Sequence, residues 1–144
     1  TGLSYVYGDR TATLPTSGTF TYNYAGGPNP VDAAGNVGTF SGGSFNVSFG
    51  GTSTIGIATP LALTVAGASY TLNNLCGGVC TFSSPGFTGT NNLSGTCIGG
   101  TCGGSSIPVF GALSGQFTGA SAGGLAITGA VGSANVAFTG AFKR

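Results

Sequence analysis

Four cysteines are the side chains of this sequence whose spacing could do chemistry. Cys76 and Cys80 stand in the segment CGGVC, and Cys97 and Cys102 stand in CIGGTC. The Gly-Gly pair in each segment would let a short loop close on itself as a disulfide, while cross-pairing would join the two loops. The spacing is also close to that of four-thiolate zinc ribbons. We predict two disulfides that stabilise the fold, with their pairing left open, and no bound metal ion.

The residue types that usually drive catalysis are nearly missing from the chain. There is no His and no Glu, and Asp9 and Asp32 are the two carboxylates. They could act as an acid pair only if the fold brought them together. We expect Asp9 to pair with Arg10 or lie in a turn, and Asp32 to lie in a loop. Because no nucleophile has a visible base, we predict no catalytic residue and a protein that is not an enzyme.

Cofactor sites are equally poorly supported by the residues present. Without His or Met, haem could be ligated only by Tyr or a thiolate. The five tyrosines mostly alternate with polar residues in predicted strands, so we assign them to the core. Two Asp are too few for a site built from oxygen ligands. The glycosylation pattern occurs at Asn46 and Asn92, but a three-residue match is common by chance. We therefore predict no cofactor.

The composition limits the classes of partner. The 144 residues are expected to form one domain, residues 1–144, and the net charge is +1. Nucleic acid is not an expected partner because no basic patch can neutralise phosphates, and no apolar run is long enough for a transmembrane helix. The chain begins at Thr1 rather than Met, which we expect of a processed, exported chain.

The small number of charges is the most informative feature for function. Charged residues make up 3% of the chain, against roughly a quarter in ordinary proteins. The exposed surface must therefore consist of Gly, Ser, Thr, Asn and Ala. Such a surface offers little electrostatic repulsion against self-association.

Short runs of alternating residues, separated by Gly-rich turns, predict a β-protein without long helices. The clearest stretch, residues 113–142, predicts three consecutive antiparallel strands, with Val136, Phe138 and Phe142 on one face of the last. Residues 25–35 form a predicted loop. The other predicted strands cover residues 4–8, 19–24, 36–40, 44–49, 55–57 up to Pro60, 61–65, 70–72, 80–83, 93–97 and 109–118.

Turn signals recur about every eight to twelve residues, as in an all-β sandwich or barrel. We predict a single antiparallel β-barrel of about eight strands with a hydrophobic interior. An irregular Cys-rich insertion is expected at about residues 73–106.

Several motifs resemble a known family. They are YVYG near the start, LPTSGTFTY, SFNVSFG, LTVAGASYTL, LSGQFTGASAGGLAITGAV and the closing VAFTGAF. Their order resembles the C-terminal β-barrel domain of transferrin-binding protein B-like bacterial surface proteins. The family's G-x-F-x-G-x-x-A segment stands here as Gly115, Phe117, Gly119 and Ala122. The resemblance implies an eight-stranded barrel with a hydrophobic filling, export, and capture of transferrin, lactoferrin, complement regulators or haem. The low charge, the lack of a separate binding lobe and the cysteines depart from that pattern.

Two functional hypotheses follow. The first is a self-assembling structural subunit of an extracellular or bacterial cell-surface filament, sheath or matrix, hence a homo-oligomer or polymer. Strand addition to a neighbour is expected from residues 1–8 and 135–144, through Leu3, Tyr5, Tyr7, Val136, Phe138 and Phe142.

The alternative is a ligand-binding module that captures a host protein, haem or a glycan through the loops at residues 25–35 and 73–106. Recognition of a protein partner usually relies on charged or Arg-rich patches, which this chain cannot assemble. The sequence therefore favours the structural hypothesis.

Overall fold

The structure, a computed structural model, describes residues 8–144. Its elements are ten β-strands and three single 3-10 turns, so the protein is all-β. The turns lie at Cys76–Gly78, Gly100–Cys102 and Ala120–Ala122. The strands are β1 (Gly18–Gly26), β2 (Thr39–Phe49), β3 (Ser53–Val65), β4 (Ala68–Leu75), β5 (Cys80–Phe82), β6 (Gly86–Phe87), β7 (Leu93–Ile98), β8 (Ile107–Thr118), β9 (Gly124–Val131) and β10 (Val136–Lys143).

Eight of the strands close into an antiparallel barrel. Neighbouring strands around the wall are β1, β2, β3, β4, β7, β8, β9 and β10, and β10 pairs with β1 to complete the circle. The prediction of a single eight-stranded antiparallel barrel is therefore confirmed. Closure gives each of these strands a partner on both sides, which removes free sheet edges along the paired segments.

The two shortest strands, β5 and β6, continue two wall positions at which the regular strand is interrupted. We call each such position, with its two strand segments, a stave. β5 pairs with β3 at Ser53–Ile55, on the edge that β4 occupies further along. β6 pairs with Gly115 and Gln116 of β8, on the edge that β7 occupies further along. One stave is thus β4 continued by β5, with residues 76–79 between them. Its neighbour is β6 continued by β7, with residues 88–92 between them.

Large apolar side chains fill the barrel interior. Along β10, Val136, Phe138 and Phe142 are buried, as their alternation predicted. The rings of Phe138 and Phe142 belong to an aromatic cluster. The ring centres of Phe45 and Phe142 are 5.0 Å apart, and those of Phe40 and Phe138 are 5.8 Å apart. An eight-stranded barrel is just wide enough for such side chains to fill it.

Two predicted strand boundaries are wrong. Pro60 was expected to end a strand, but β3 runs through it from Ser53 to Val65. Pro60 is exposed and lies between the segments of β3 that pair with β5 and β4, opposite a register shift in β2. Proline is tolerated at such an irregularity because its missing N–H is not needed there.

Of the predicted strand 36–40, Thr39 and Phe40 belong to β2, which continues through the whole of the predicted strand 44–49. Gly42 and Gly43 join them with φ angles of 106° and 143°, which only glycine adopts readily. The ladder between β2 and β3 shifts register at these glycines, so β2 bends with the barrel instead of ending.

Residues 27–38 close the wall beside β10 rather than forming a free loop. The Val31 N–H donates to the Ala137 carbonyl at 3.0 Å, and the Ala137 N–H donates to the Val31 carbonyl at 2.8 Å. The Gly38 N–H donates to the Pro30 carbonyl at 2.8 Å. Most of the predicted 25–35 loop therefore has a fixed backbone.

The opposite end of the barrel is closed by the β8–β9 turn and residues 8–17. The buried Tyr22 hydroxyl donates to the Ala122 carbonyl at 2.5 Å. The Thr11 N–H donates to the Phe117 carbonyl at 3.0 Å, and the Gly119 N–H donates to the Asp9 carbonyl at 2.7 Å. We call this the charged end, and the end with residues 27–38, 99–106 and 132–135 the apolar end.

Candidate assembly surface

The four cysteines form two local disulfides. Cys76 is bonded to Cys80, with Cα atoms 5.2 Å apart, and Cys97 is bonded to Cys102, with Cα atoms 5.9 Å apart. The predicted disulfides are confirmed, and each segment closes on itself. The cross-paired and zinc alternatives are excluded, because all four sulfurs are already bonded within their own segments.

Each disulfide lies where the regular wall stops. Cys76–Cys80 closes the excursion between β4 and β5, and Cys97–Cys102 closes the start of the β7–β8 connection at the apolar end. Cys97 is buried in the core and Cys102 packs against it. In that connection the Gly99 N–H donates to the Gly103 carbonyl at 2.6 Å. The second disulfide therefore fixes the loop that links Ile98 to Ile107.

The two aspartates are far from forming an acid pair. Asp9 lies beside Gly119 at the charged end, whereas Asp32 lies at the apolar end beside Asn36. The Asp32 carboxylate accepts hydrogen bonds from the Asn36 side chain at 2.9 Å and from the backbone N–H groups of Asn36 and Ala34 at 2.8 and 3.0 Å. These bonds, led by the Asn36 side chain, hold the pKa of Asp32 below its ordinary value.

Between residues 8 and 144, no three His, Cys, Asp or Glu side chains come together as a metal site would require. The same residues contain no helix whose length and apolarity would carry it through a bilayer.

The proposed strand-addition residues at the C-terminus belong to the barrel's own wall. Val136, Phe138 and Phe142 are each at most 2% exposed. β10 pairs with β9 along its whole length, and its other edge meets β1 and Val31. β10 therefore already has a neighbour on each side within one copy, and strand addition through it stays a prediction. Leu3, Tyr5 and Tyr7, with most of the predicted 4–8 strand, lie outside the described residues.

Hydroxyl and amide groups cover the outer face of β1 and β2. The Thr19 and Ser48 hydroxyls lie 2.9 Å apart across the two strands, and the Thr21 hydroxyl donates to the Asn46 carboxamide at 2.9 Å. Each pair is a cross-strand partner on the exposed face. These ordered side chains retain hydrogen-bonding capacity toward solvent or another surface. We call this face the hydroxyl ladder.

The charged side chains collect at one end of the barrel. Four of the five, all except Asp32, surround the β8–β9 turn. The backbones of Arg10 and Thr118 form a β-bridge, and Lys143 lies opposite Gly124 in the ladder between β10 and β9. The backbone N–H of Arg144 donates to the Gly123 carbonyl. Arg144 also stacks on Phe20, with its guanidinium carbon 3.9 Å from the ring centre. Three cations and Asp9 thus give this end a positive balance.

The other end of the barrel exposes large apolar side chains. Phe110 is 66% exposed, Ile98 46% and Ile107 40%. Together with Pro108, which follows Ile107 in the chain, these residues form what we call the apolar rim. Beside Phe110 lies a hollow of about 360 Å³ lined by Tyr70, Cys102, Val109, Gly132 and Ser133 as well as by rim residues.

A polar groove of about 520 Å³ runs along the outside of β8 and β9, next to β6. Its lining offers hydroxyl, amide and guanidinium groups, supplied by Arg10, Ser84, Thr88, Ser114, Gln116 and Thr128. The Gln116 amide nitrogen donates to the Pro85 carbonyl at 2.9 Å, which fixes that side chain. The groove could hydrogen-bond a hydroxyl-rich molecule and pair Arg10 with an anionic group.

Sequence reasoning missed both of these surfaces. The groove gathers residues from four separate segments, so no local motif marks it. The rim could have been found from the strand alternation. Val109, Leu113 and Phe117 lie at odd-numbered positions and face the core, whereas Phe110 lies at an even-numbered position. An aromatic residue on the polar face of a predicted strand is expected to be exposed.

Comparisons with models of protein families, with curated proteins and with solved structures found no match to this chain. The likeness to transferrin-binding protein B-like barrels remains a prediction from the short sequence motifs.

Proposed function

We propose that this protein is a non-enzymatic structural subunit, exported to the bacterial surface or the extracellular space, that assembles with copies of itself. The product would be a filament, sheath or matrix. The observation that supports the proposal is the uncharged outer face of β1 and β2, which carries the hydroxyl ladder.

Two walls of this kind can approach without electrostatic repulsion. A Ser or Thr hydroxyl has one donor and two acceptor sites, so Thr19 and Thr21 can bond within the ladder and also across a contact. Soluble proteins ordinarily place mixed charges over such faces, which limits self-association. Here four of the five charged groups lie at one end, and the outer face of β1 and β2 is free to pack.

Electron microscopy and sedimentation of the non-reduced protein test self-assembly directly. We expect ordered assemblies that persist at high salt, because no ion pair is needed between walls. Thr21→Lys, which puts like charges on facing ladders, should reduce assembly, whereas Thr16→Lys, exposed at the charged end, should not. Dispersed monomers at every concentration would overturn the proposal.

Strand addition to a neighbouring copy remains part of the proposal. Because β10 already pairs with β9 and β1 within one copy, its test starts with the segment that carries Leu3, Tyr5 and Tyr7. A chain lacking residues 1–8 should keep the barrel's far-ultraviolet circular dichroism and lose its polymers. Intact polymers from that truncation would exclude strand addition but leave wall packing in place.

The polar groove favours a second candidate function, the capture of a glycan. Its hydroxyl and amide groups match the hydroxyls of sugars, and Arg10 matches an acidic sugar. Core residues fill the barrel interior, so a glycan would have to bind on the outside, where this groove of about 520 Å³ lies.

Calorimetric titration with a neutral and an acidic polysaccharide checks the glycan hypothesis. We expect heat from the acidic polymer, and loss of that heat in Arg10→Gln. Equal responses of wild type and Arg10→Gln to the acidic polymer would contradict a role for the groove.

A further inference from the structure

The barrel has two chemically different ends. The charged end carries Arg10, Lys143 and Arg144, and the apolar end carries the apolar rim of Ile98, Ile107, Pro108 and Phe110. No charged side chain other than Asp32 lies at the apolar end of the described chain, and Asp32 is held within its own segment. An exposed phenylalanine in such a setting is typical of a contact surface.

We propose that the apolar rim is the surface through which two copies of this chain dock, related by a twofold axis. The inference rests on the self-assembly proposed above and names its first contact. In a twofold contact, each copy presents the same patch to the other. Phe110 of one copy would enter the hollow beside Phe110 of the other, and the reverse contact would form at the same time.

The distribution of charge favours this arrangement over a head-to-tail contact. Joining the apolar end of one copy to the charged end of the next would bury Phe110 against Arg and Lys side chains, which would lose hydration. The one anion at the apolar end, Asp32, is buried and already accepts hydrogen bonds from its own segment, so it does not compensate for that loss. Joining two charged ends would bring two positive groups of residues together. Two apolar ends meet with neither cost.

The same distribution disfavours a lipid surface as the occupant. Proteins that lie on membranes place basic residues around the apolar patch, where the residues meet anionic headgroups. In this chain Arg10, Lys143 and Arg144 lie at the opposite end of the barrel. A second copy is therefore the occupant that the charges support.

The rim is held in place before any contact forms. The Cys97–Cys102 disulfide fixes the connection between Ile98 and Ile107, and the Gly132 N–H donates to the Phe110 carbonyl at 3.1 Å. Less ordering entropy is lost on docking when a surface is already fixed.

Sedimentation equilibrium of the full non-reduced chain tests the inference. Wild type is expected to associate in steps that begin with a dimer, and Phe110→Lys to weaken the dimer at least about tenfold. Ile98→Lys should act in the same direction. Val79→Lys is the matched control, because Val79 is 56% exposed but lies in the Cys76–Cys80 loop, away from the rim. Circular dichroism checks that each variant is folded.

The outcomes separate this inference from the proposed function. Wild type that stays monomeric overturns both. Assembly that persists unchanged in Phe110→Lys and Ile98→Lys overturns the rim contact alone. Thr16→Lys, at the charged end, distinguishes the geometries, because it would weaken a head-to-tail contact and leave a twofold rim contact unaffected. Flotation of the wild type with neutral phosphatidylcholine vesicles, lost in Phe110→Lys without a change in dimerisation, would assign the rim to lipid and overturn the inference.

Discussion

At the scale of single residues, buried polar side chains are hydrogen-bonded throughout the described part of the chain. Among residues 8–144, no buried side-chain nitrogen or oxygen lacks a hydrogen bond. Tyr22, with no exposed surface, reaches the Ala122 carbonyl and packs edge-on against Phe117 at 5.7 Å. Asp32 organises residues 32–36 by the same means. In a chain with so few polar anchors, each one fixes a whole segment.

The Asp32 carboxylate makes stability depend on pH in acid. Its pKa is lowered from the ordinary value of 3.8, so its hydrogen bonds stabilise the folded chain above that pH and are lost as the pH falls through the folded pKa. Asp32→Asn keeps the shape and removes the charge. We expect urea unfolding to show the wild type more stable than Asp32→Asn at neutral pH, and the difference to shrink as the pH falls below 3.8. A difference that is constant across this range would contradict the assignment.

At the scale of elements, the Asn92 side chain makes the hydrogen bonds to β8 that a strand backbone would make if the β6–β7 stave were not interrupted. The Asn92 carboxamide accepts from the Leu113 N–H at 2.8 Å and donates to the Leu113 carbonyl at 2.9 Å. The Asn92 backbone carbonyl accepts from the Cys76 N–H. Asn92 therefore connects both interrupted staves to β8, which accounts for its place in a segment without regular strand.

Removing that carboxamide should weaken the wall. Asn92→Ala leaves the N–H and carbonyl of buried Leu113 without their partner, which we expect to lower the free energy of unfolding by about 1 to 3 kcal/mol. Asn73→Ala, an exposed position on β4, is the control and should change little. Guanidinium denaturation of the two variants gives the comparison. Equal small effects would mean that water satisfies Leu113 in the variant.

Glycine and phenylalanine are paired across strands inside the barrel. Phe138 lies directly opposite Gly129, and a Cβ atom added to Gly129 would come within 2.4 Å of the Phe138 ring. Phe87 and Gly115 are paired in the same way. The bulky ring on one strand uses the space that the glycine on its neighbour leaves open.

Gly129→Ala should therefore overpack the core. We expect a loss of about 1 to 3 kcal/mol in the free energy of unfolding, as Phe138 shifts to make room. Gly51→Ala provides the control, since nothing lies within 4 Å of its added methyl group. Thermal unfolding of both variants measures the difference, and a Gly129→Ala barrel as stable as wild type would show that Phe138 has room to move.

The strand pattern was predictable to the extent that it depends on alternation. Val136, Phe138 and Phe142 could be assigned to one face because a period of two is visible locally. Pro60 and Gly42 misled the prediction, because whether such residues end a strand or bend it depends on strands distant in sequence. The role of Asn92 could not be foreseen for the same reason, since its partner Leu113 is 21 residues away.

At the scale of the whole molecule, the two disulfides differ in what they support. Both close short loops, with sequence separations of 4 and 5, so each should contribute only about 2 kcal/mol by limiting the unfolded chain. The barrel is closed by strand pairing around its full circle and does not depend on either one for its topology. Reduction of both disulfides should therefore lower the free energy of unfolding and leave the barrel folded.

The two disulfides should differ in their effect on self-association. Replacing Cys97 and Cys102 by Ala frees the loop beside the apolar rim, so Ile98 and Ile107 must be ordered again when two copies meet, and self-association should weaken. Replacing Cys76 and Cys80 by Ala should cost similar stability and leave association unchanged, because that loop is remote from the rim. Sedimentation equilibrium and urea unfolding of the two double variants provide both readouts. Equal weakening of association in the two would mean that general stability, rather than the order of the rim, governs how copies of this chain meet.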